Sequence, residues 1–563
     1  MVLLDVSLLA LYVVASLGLF LYGMNCYVMI ALFYRSRDRE RRENTEFRRS
    51  FVDSGTELPK VTTQLPIYNE RFVAERLLRA VVRMEYPRAR HQIQVLDDSD
   101  DDTVEIVARA VERYRAEGYD VMHVRRTDRS GFKAGALRHG TRLATGEFLA
   151  VFDADFVPPR DFLLQTVPFF YQHPKIAMVQ TRWGHVNWDH SWITRAQSVG
   201  IDGHFVVEQG ARTWNGLYMN FNGTAGVWRR TAVEDAGGWE ADTLTEDLDL
   251  SYRVQLAGWR MKYLADVVTP AEIPVDMNGL KSQQHRWAKG SIQTARKILP
   301  RVFRAPVPLF QKVEAVFHLT HYAIHPLMLV SSLLALPALA GPQFAASRPI
   351  LALVGLCLLA STLSPSILYV VSQREAYADW KSRLLILPVL VAVGVGIAVN
   401  NSRAVFEALT GKKSAFVRTP KHGVTSAGEP NAGGNSAGET NAGGTRAGVT
   451  SAGEIAGATA CAASRRLDFN QTGSVASGAA ASSSIATRYR TYRIRPQPFV
   501  AVEILLAAYG FVSLYVYCQA GKWAVVPFLF LTSVGYLSVG ILSLRHGHRS
   551  QPRLRASELA SAQ

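Results

Sequence analysis

Four cysteines among 563 residues are too few and too scattered to hold a fold together. Cys26, Cys357 and Cys518 lie in apolar runs and Cys461 in a polar linker, with no metal-ligand spacing among them, which excludes a disulfide framework and structural zinc. Charge is also sparse. Only 19% of residues are charged against 48% hydrophobic, a balance that points to a membrane component. Negative charge is the scarcer sign, 47 Asp and Glu against 62 Lys and Arg, for a formal net charge of +15. The basic residues gather beside apolar runs, and no stacking aromatics interleave with them in a recognisable binding module. Membrane lipids, not nucleic acid, are therefore the expected partner of that charge.

Apolar runs of roughly the 20 residues that cross a bilayer occur near 8–34, 315–340, 349–372, 499–518 and 523–544, with a borderline sixth at 384–400. The first lacks a basic leader and is followed by Arg35, Arg37, Arg39, Arg41 and Arg42 in place of a cleavage site, so it reads as a retained anchor. These arginines, with Arg545, His546, His548, Arg549, Arg553 and Arg555, put the large polar region and the C-terminus on the cytoplasmic side. An odd number of spans satisfies both ends, so five membrane helices are expected, with 384–410 interfacial or re-entrant. Residues 423–487 turn abruptly to a small, polar, glycine-rich repeat that buries too little apolar surface to offset its ordering entropy, and disorder is expected there.

Between the first two runs, strand and helix patterns alternate. "KVTTQLPIYNE" reads as a strand before a helix over Arg71 to Met84; "HQIQVLDDSDDD" as a strand before a helix over Thr103 to Glu117. Val121 to Arg125 is a third strand, "DRSGFKAGALRHG" a helix start, and "EFLAVFDADF" a fourth strand. The alternation predicts a mainly parallel α/β sheet with helices on both faces, whose ligands bind at the carboxyl ends of the strands. Both acidic clusters fall there. Asp153 and Asp155 flank one residue, so on extended chain they share a side and can share a cation; hard oxygen donors suit Mg²⁺ or Mn²⁺. Asp97 and Asp98 follow a buried-looking strand, whereas Asp100, Asp101 and Asp102 suit a solvated helix start. Thr245, Glu246 and Asp247 alone would be a plain helix cap, and Arg286 with Trp287 an interfacial pair.

Taken in order, Asp98, Asp153-x-Asp155, Thr245-Glu246-Asp247 and Gln283-x-x-Arg286-Trp287 resemble the D, DxD, TED, QxxRW pattern of processive family 2 glycosyltransferases. "QLPIYNE", "KAGAL", "FDADF", "FNGTAGVWR", "EDLDL" and "QQHRW" are closer still to the cellulose synthase-like A group, the glucomannan 4-β-mannosyltransferases, densely over about residues 60–300. The resemblance implies a GT-A nucleotide-sugar domain joined to a helical transmembrane channel bundle. It implies Asp98, Lys133 and Gln283 at the nucleotide sugar, and Asp153 and Asp155 at the cation. Asp247 would be the general base, Arg286 would face the diphosphate, and Trp287 and Glu246 would meet the acceptor. Phe416, Thr419 and Lys421 in "FVRTPK" are similar to a gating loop over the nucleotide, with Arg418 where the family has valine.

The expected division is an anchor (1–35), a basic linker (36–59), the catalytic domain (60–300), interfacial and transmembrane helices (301–401), and an interfacial helix with the gating-like loop (402–422). A disordered linker (423–490), the C-terminal membrane helices (497–545) and a basic tail (546–563) complete it. The basic amphipathic stretch 288–308 is expected on the membrane surface, and His318, His321 and His325 on one helical face lining a channel rather than binding a metal. The expected activity is an inverting, processive β-glycosyltransferase of a bacterial plasma membrane. It would extend a β-1,4 polysaccharide of mannan or glucomannan type, with GDP-mannose favoured over UDP-glucose as donor and the growing polysaccharide as acceptor. A β-glucan synthase, a non-processive lipid-linked sugar transferase and a non-catalytic export scaffold are the alternatives.

Overall fold

The computed structural model describes residues 2–340, 348–412, 421, 423–424 and 499–548. The anchor and the basic segment after it form one helix, α1 (Val2–Asp53), uninterrupted by proline and closed by a left-handed Gly55 (φ 62). Its basic half docks on protein: Arg48 pairs with Asp266, Arg37 with Glu375, and Glu40 receives Lys262.

Among the described residues the sheet has seven strands: β1 (Val61–Ile67), β2 (His91–Asp97), β3 (Asp120–Arg125), β4 (Phe148–Val151), β5 (Ile176–His185), β6 (Gly226–Arg229) and β7 (Arg260–Ala271), in the order β3-β2-β1-β4-β6-β5-β7. Only β6 runs against its neighbours; the other pairs are parallel, as the alternation predicts. β4 shows why the sheet is buried on both faces. Phe148 and Ala150 join one core while Leu149 and Val151 join the other, the two-residue period of a strand. Helices α2 (Ala74–Val82) and α3 (Thr103–Ala116) cover the first face, α4 (Phe132–Leu143) the second. Buried polar side chains of β1 and β2 pair laterally, Thr62 with Gln92 at 2.8 Å and Gln64 with Gln94 at 3.1 Å, as burial requires.

After α5 (Glu246–Leu256) and β7 comes the long α6 (Met277–Arg304), capped by Asp276, whose carboxylate accepts the Gly279 N–H at 2.8 Å. The stretch expected to lie on the membrane surface is the second half of this helix. On one side Ala295, Ile298 and Val302 pack with Leu248 and Tyr252 of α5 and with Ala315 and Leu319, while Phe303 is exposed.

Among the described residues, five helices are long and apolar enough to cross a membrane: Val6–Asp53, Leu309–Pro337, Ala352–Ala376, Val500–Gln519 and Val526–His546. They coincide with the five apolar runs of the sequence. Trp380–Gly396 and Ala398–Leu409 form a pair bent by 41°, a geometry shared by a broken span and a re-entrant loop. We call Ala398–Leu409 α7, Val500–Gln519 α8 and Val526–His548 α9. Tyr12, Leu19, Ala335, Leu358, Tyr517 and Leu529 bring residues of all five into one apolar cluster. The histidine face is broken by a 3₁₀ turn at His321–Ala323. His318 meets Tyr252 at 2.7 Å and Asn220 at 3.1 Å, His321 meets the His318 carbonyl at 2.8 Å, and His325 meets Asn401 at 2.9 Å. Cys26, Cys357 and Cys518 are free thiols; Cys461 and the repeat around it lie outside the described residues.

Candidate active site

The cleft opens where β1, β2 and β4 end. Ile67 accepts the Asp98 N–H at 3.0 Å, holding Asp98 just beyond β2, while Arg126, one residue past β3, grips its carboxylate with two nitrogens, Nε at 2.9 Å. Asp97 turns away from this pair. It accepts the Ser99 N–H at 2.9 Å and meets His123 at 2.8 Å; burial pushes its carboxyl up, but those hydrogen bonds outweigh burial and hold it below the ordinary value.

Beyond β4, the Asp153 N–H donates to Thr224 Oγ1 at 2.9 Å, tying the acidic pair to the loop before β6. Lys133, from the first turn of α4, reaches Asp153 at 2.5 Å and donates to the Gly223 carbonyl at 2.8 Å. Gly223 sits at φ 82, and a Cβ there would lie 3.0 Å from Asp247 Oδ2 and 3.3 Å from Lys133 Nζ, so the close approach requires glycine. Lys421 pairs with Asp155 at 2.5 Å and donates to the Glu272 carbonyl at 2.9 Å.

Crowding of carboxylates governs the titration. Burial raises the Asp247 carboxyl, Glu246 beside it raises it further, and Lys133, the Leu248 N–H and Arg286 only partly offset this, leaving it at about 7. Asp153 is likewise pushed up, first by burial and then, against the pull of Lys133, by Asp155 and Glu246. Burial pulls Lys133 down, yet Asp153, Glu246 and Asp247 hold its ammonium above the ordinary value.

α6 closes the cleft. Gly290 lets it approach the start of α5, since a Cβ there would fall 2.5 Å from the Thr245 methyl carbon. Thr245 stands at the N-cap of α5, but its hydroxyl contacts Thr294 of α6 at 3.2 Å and makes no cap hydrogen bond. Gln283, Arg286 and Trp287 thereby line the same cavity as Asp98, Lys133, Asp153, Asp155, Glu246, Asp247 and Lys421. Trp287 also packs on the cluster of Ala288, Ile292, Tyr322, Ala404 and Val405, so it stands at the seam between cleft and membrane helices. Phe416 and Thr419 lie outside the described residues.

Three cleft residues escape a motif reading. Arg126 could have been found as an opposite charge at the strand end next to Asp98. Arg129 stacks over Tyr68 at 3.2 Å, and His185 meets Asp202 at 3.1 Å; neither carries a local pattern. Asp153 and Asp155 fit a divalent cation: two hard carboxylates line one cavity, and each is now met by a lysine ammonium, as that concentration of negative charge demands. The triad of Glu240, Asp242 and Asp249 does not fit one, because Lys297 sits among them at 2.6, 2.8 and 2.9 Å.

Residues 59–290 match the family model described as glycosyltransferase like family 2. The chain is 42% identical over 258 residues to a probable glucomannan 4-beta-mannosyltransferase 6 of Oryza sativa subsp. japonica, covering 45% of each chain. It is 35% identical over 320 residues to glucomannan 4-beta-mannosyltransferase 9 of Arabidopsis thaliana, covering 55% of this chain and 60% of that one. The chain spans about half the length of the curated relatives it matches. A solved structure, the mannosyltransferase PcManGT of Pyrobaculum calidifontis with GDP-Man and Mn2+, superposes at a TM-score of 0.48 and 21% identity over 71% of this chain and all of that one. The matched region carries the mixed, mostly parallel sheet, with apolar helices before and after it.

Proposed function

We propose that this chain is a membrane-embedded, inverting β-glycosyltransferase that polymerises a β-1,4-linked mannan or glucomannan from GDP-mannose and exports it. The observation that carries the reading is the convergence of Asp153, Asp155, Asp247, Arg286 and Trp287 on one cleft that abuts the membrane helices. The naming of the relatives as glucomannan 4-beta-mannosyltransferases supports the sugar and the linkage.

In this mechanism the nucleotide end of the donor lies toward Asp98 and Arg126, and the diphosphate toward Lys133, Lys421 and Arg286. Asp153 and Asp155 would hold Mg²⁺ or Mn²⁺, which neutralises diphosphate charge and eases departure of the nucleotide. Asp247, at about 7, is poised to take the proton of the acceptor hydroxyl near neutral pH. As that O–H bond breaks, the acceptor oxygen bonds the anomeric carbon from the face opposite the phosphate, the anomeric C–O bond to phosphate breaks, and the nucleoside diphosphate leaves with inversion. Arg286, a permanent cation, stabilises the negative charge that develops on it. Trp287 offers a flat face for the acceptor sugar where the cleft meets the membrane helices. Nucleotide sugars are cytoplasmic, which supports a cytoplasmic family 2 domain at a plasma membrane.

Purified protein in lipid with Mg²⁺ or Mn²⁺ should convert GDP-mannose to a long product that a β-1,4-mannanase degrades. A product made only from UDP-glucose or UDP-N-acetylglucosamine would overturn the sugar, and single-sugar transfer to lipid would overturn polymerisation.

A further inference from the structure

α6 has two working faces. Gln283, Arg286 and Trp287 look into the cleft, while Lys281, His285 and Lys289, spaced i, i+4 and i+8, form a stripe on another side of the helix. That stripe is bound to the membrane helices by charge. Lys281 Nζ lies 2.6 Å from Glu503 of α8, both side chains wholly buried, and 3.4 Å from Ser543 of α9. Two turns on, Lys289 lies 3.0 Å from Glu407 of α7, which also meets His285 at 3.4 Å and Arg403 at 2.8 Å. Backbone contacts reinforce the first clamp: Asn400 donates to the Lys281 carbonyl at 2.9 Å and Asn278 to the Ser543 carbonyl at 3.2 Å.

A buried ion pair is a poor stabiliser, because desolvating both charges consumes most of their attraction and apolar residues of similar volume would hold the helix as well. What it supplies is one register, since a slip of the helix along its axis leaves two buried charges unpaired. We infer that Glu503 and Glu407 are positioning residues: by clamping Lys281 and Lys289 on either side of the QxxRW segment they set the place of Arg286 and Trp287 in the cleft. The inference rests on the proposed polymerising reaction, and it makes the C-terminal membrane helices part of the catalytic geometry.

The test compares full-length Glu503→Gln, Glu503→Asp and the double variant Lys281→Met with Glu503→Leu, all in lipid. Turnover is measured per folded protein with GDP-mannose, alongside hydrogen exchange of peptides spanning 277–290. Glu503→Gln and the double variant are expected to keep the donor KM within about twofold while kcat falls about tenfold or more, the scale of a sub-ångström misplacement; Glu503→Asp keeps kcat within about threefold. Exchange over 277–290 quickens in Glu503→Gln. Should Glu503→Gln fail to fold, the double variant, which leaves no unpaired charge, carries the test. Wild-type kcat in either folded variant overturns the inference, as does a loss of thermal stability with kcat per folded molecule unchanged. If the wild type transfers no sugar from any donor, the polymerase reading fails by itself, and the clamp is then judged by exchange alone: unchanged protection of 277–290 in Glu503→Gln sinks it.

Discussion

The two ends of the cleft treat the same residue type in opposite ways. At the end of β2, Asp97 and Asp98 are satisfied by donors built for them, His123 and the Ser99 N–H for one and the Arg126 fork for the other. Beyond β4 and at the start of α5, Asp153, Asp155, Glu246 and Asp247 crowd around Lys133 and Lys421. One aspartate is consequently held below its ordinary value and another is driven up to about 7. In the proposed mechanism this contrast is a division of labour, one end holding the donor and the other moving a proton.

The largest effect that could break this contrast is Asp247→Asn. It is expected to cut transfer by about 10³-fold, with nucleotide binding by calorimetry little changed, because only the proton acceptor is lost. Near-normal polymerisation by that variant would reassign the base. Arg286→Ala should follow, with kcat down about 10²-fold and the loss recovered poorly by lysine, which lacks the planar fork; equal rates for the lysine variant would remove the diphosphate role. Arg126→Lys probes the holding end. The donor KM is expected to rise about tenfold with kcat nearly intact, the worth of one charged hydrogen bond, and a kcat effect instead would place Asp98 with the chemistry.

The smallest effect is the most diagnostic. As a general base Asp247 must be ionised, so kcat/KM rises with pH on a limb near 7. Glu246 raises that carboxyl through its charge, so Glu246→Gln should move the limb to lower pH while Asp97→Asn leaves it in place. A limb indifferent to Glu246 would show that the titration belongs to another group.

Much of this was legible in the chain. Strand and helix alternation anticipated the sheet, and the motif residues that fall among the described residues meet in one cavity. The second half of α6 shows where a pattern stops informing, because its basic, amphipathic sequence is the same whether an apolar side meets lipid or Tyr252 and Leu319. Thr245 stands at the N-cap position that the acidic first turn suggests, yet its hydroxyl turns to Thr294, a partner no local pattern names. Lys297 gave no sign that it would fill an acidic triad contributed partly by a loop some fifty residues earlier.

Periodicity, apolar length and motif order were readable because they express the backbone repeat and the transfer free energy of each side chain, which act over a few residues. The partner of each charge was not. Glu503 meets Lys281 across 222 residues and Arg126 meets Asp98 across 28, and what Asp247 becomes depends on distances and burial that exist only after the chain has closed. Coulomb interaction and desolvation follow separation in space, and so the fold, not the order of residues, made two of these aspartates unlike.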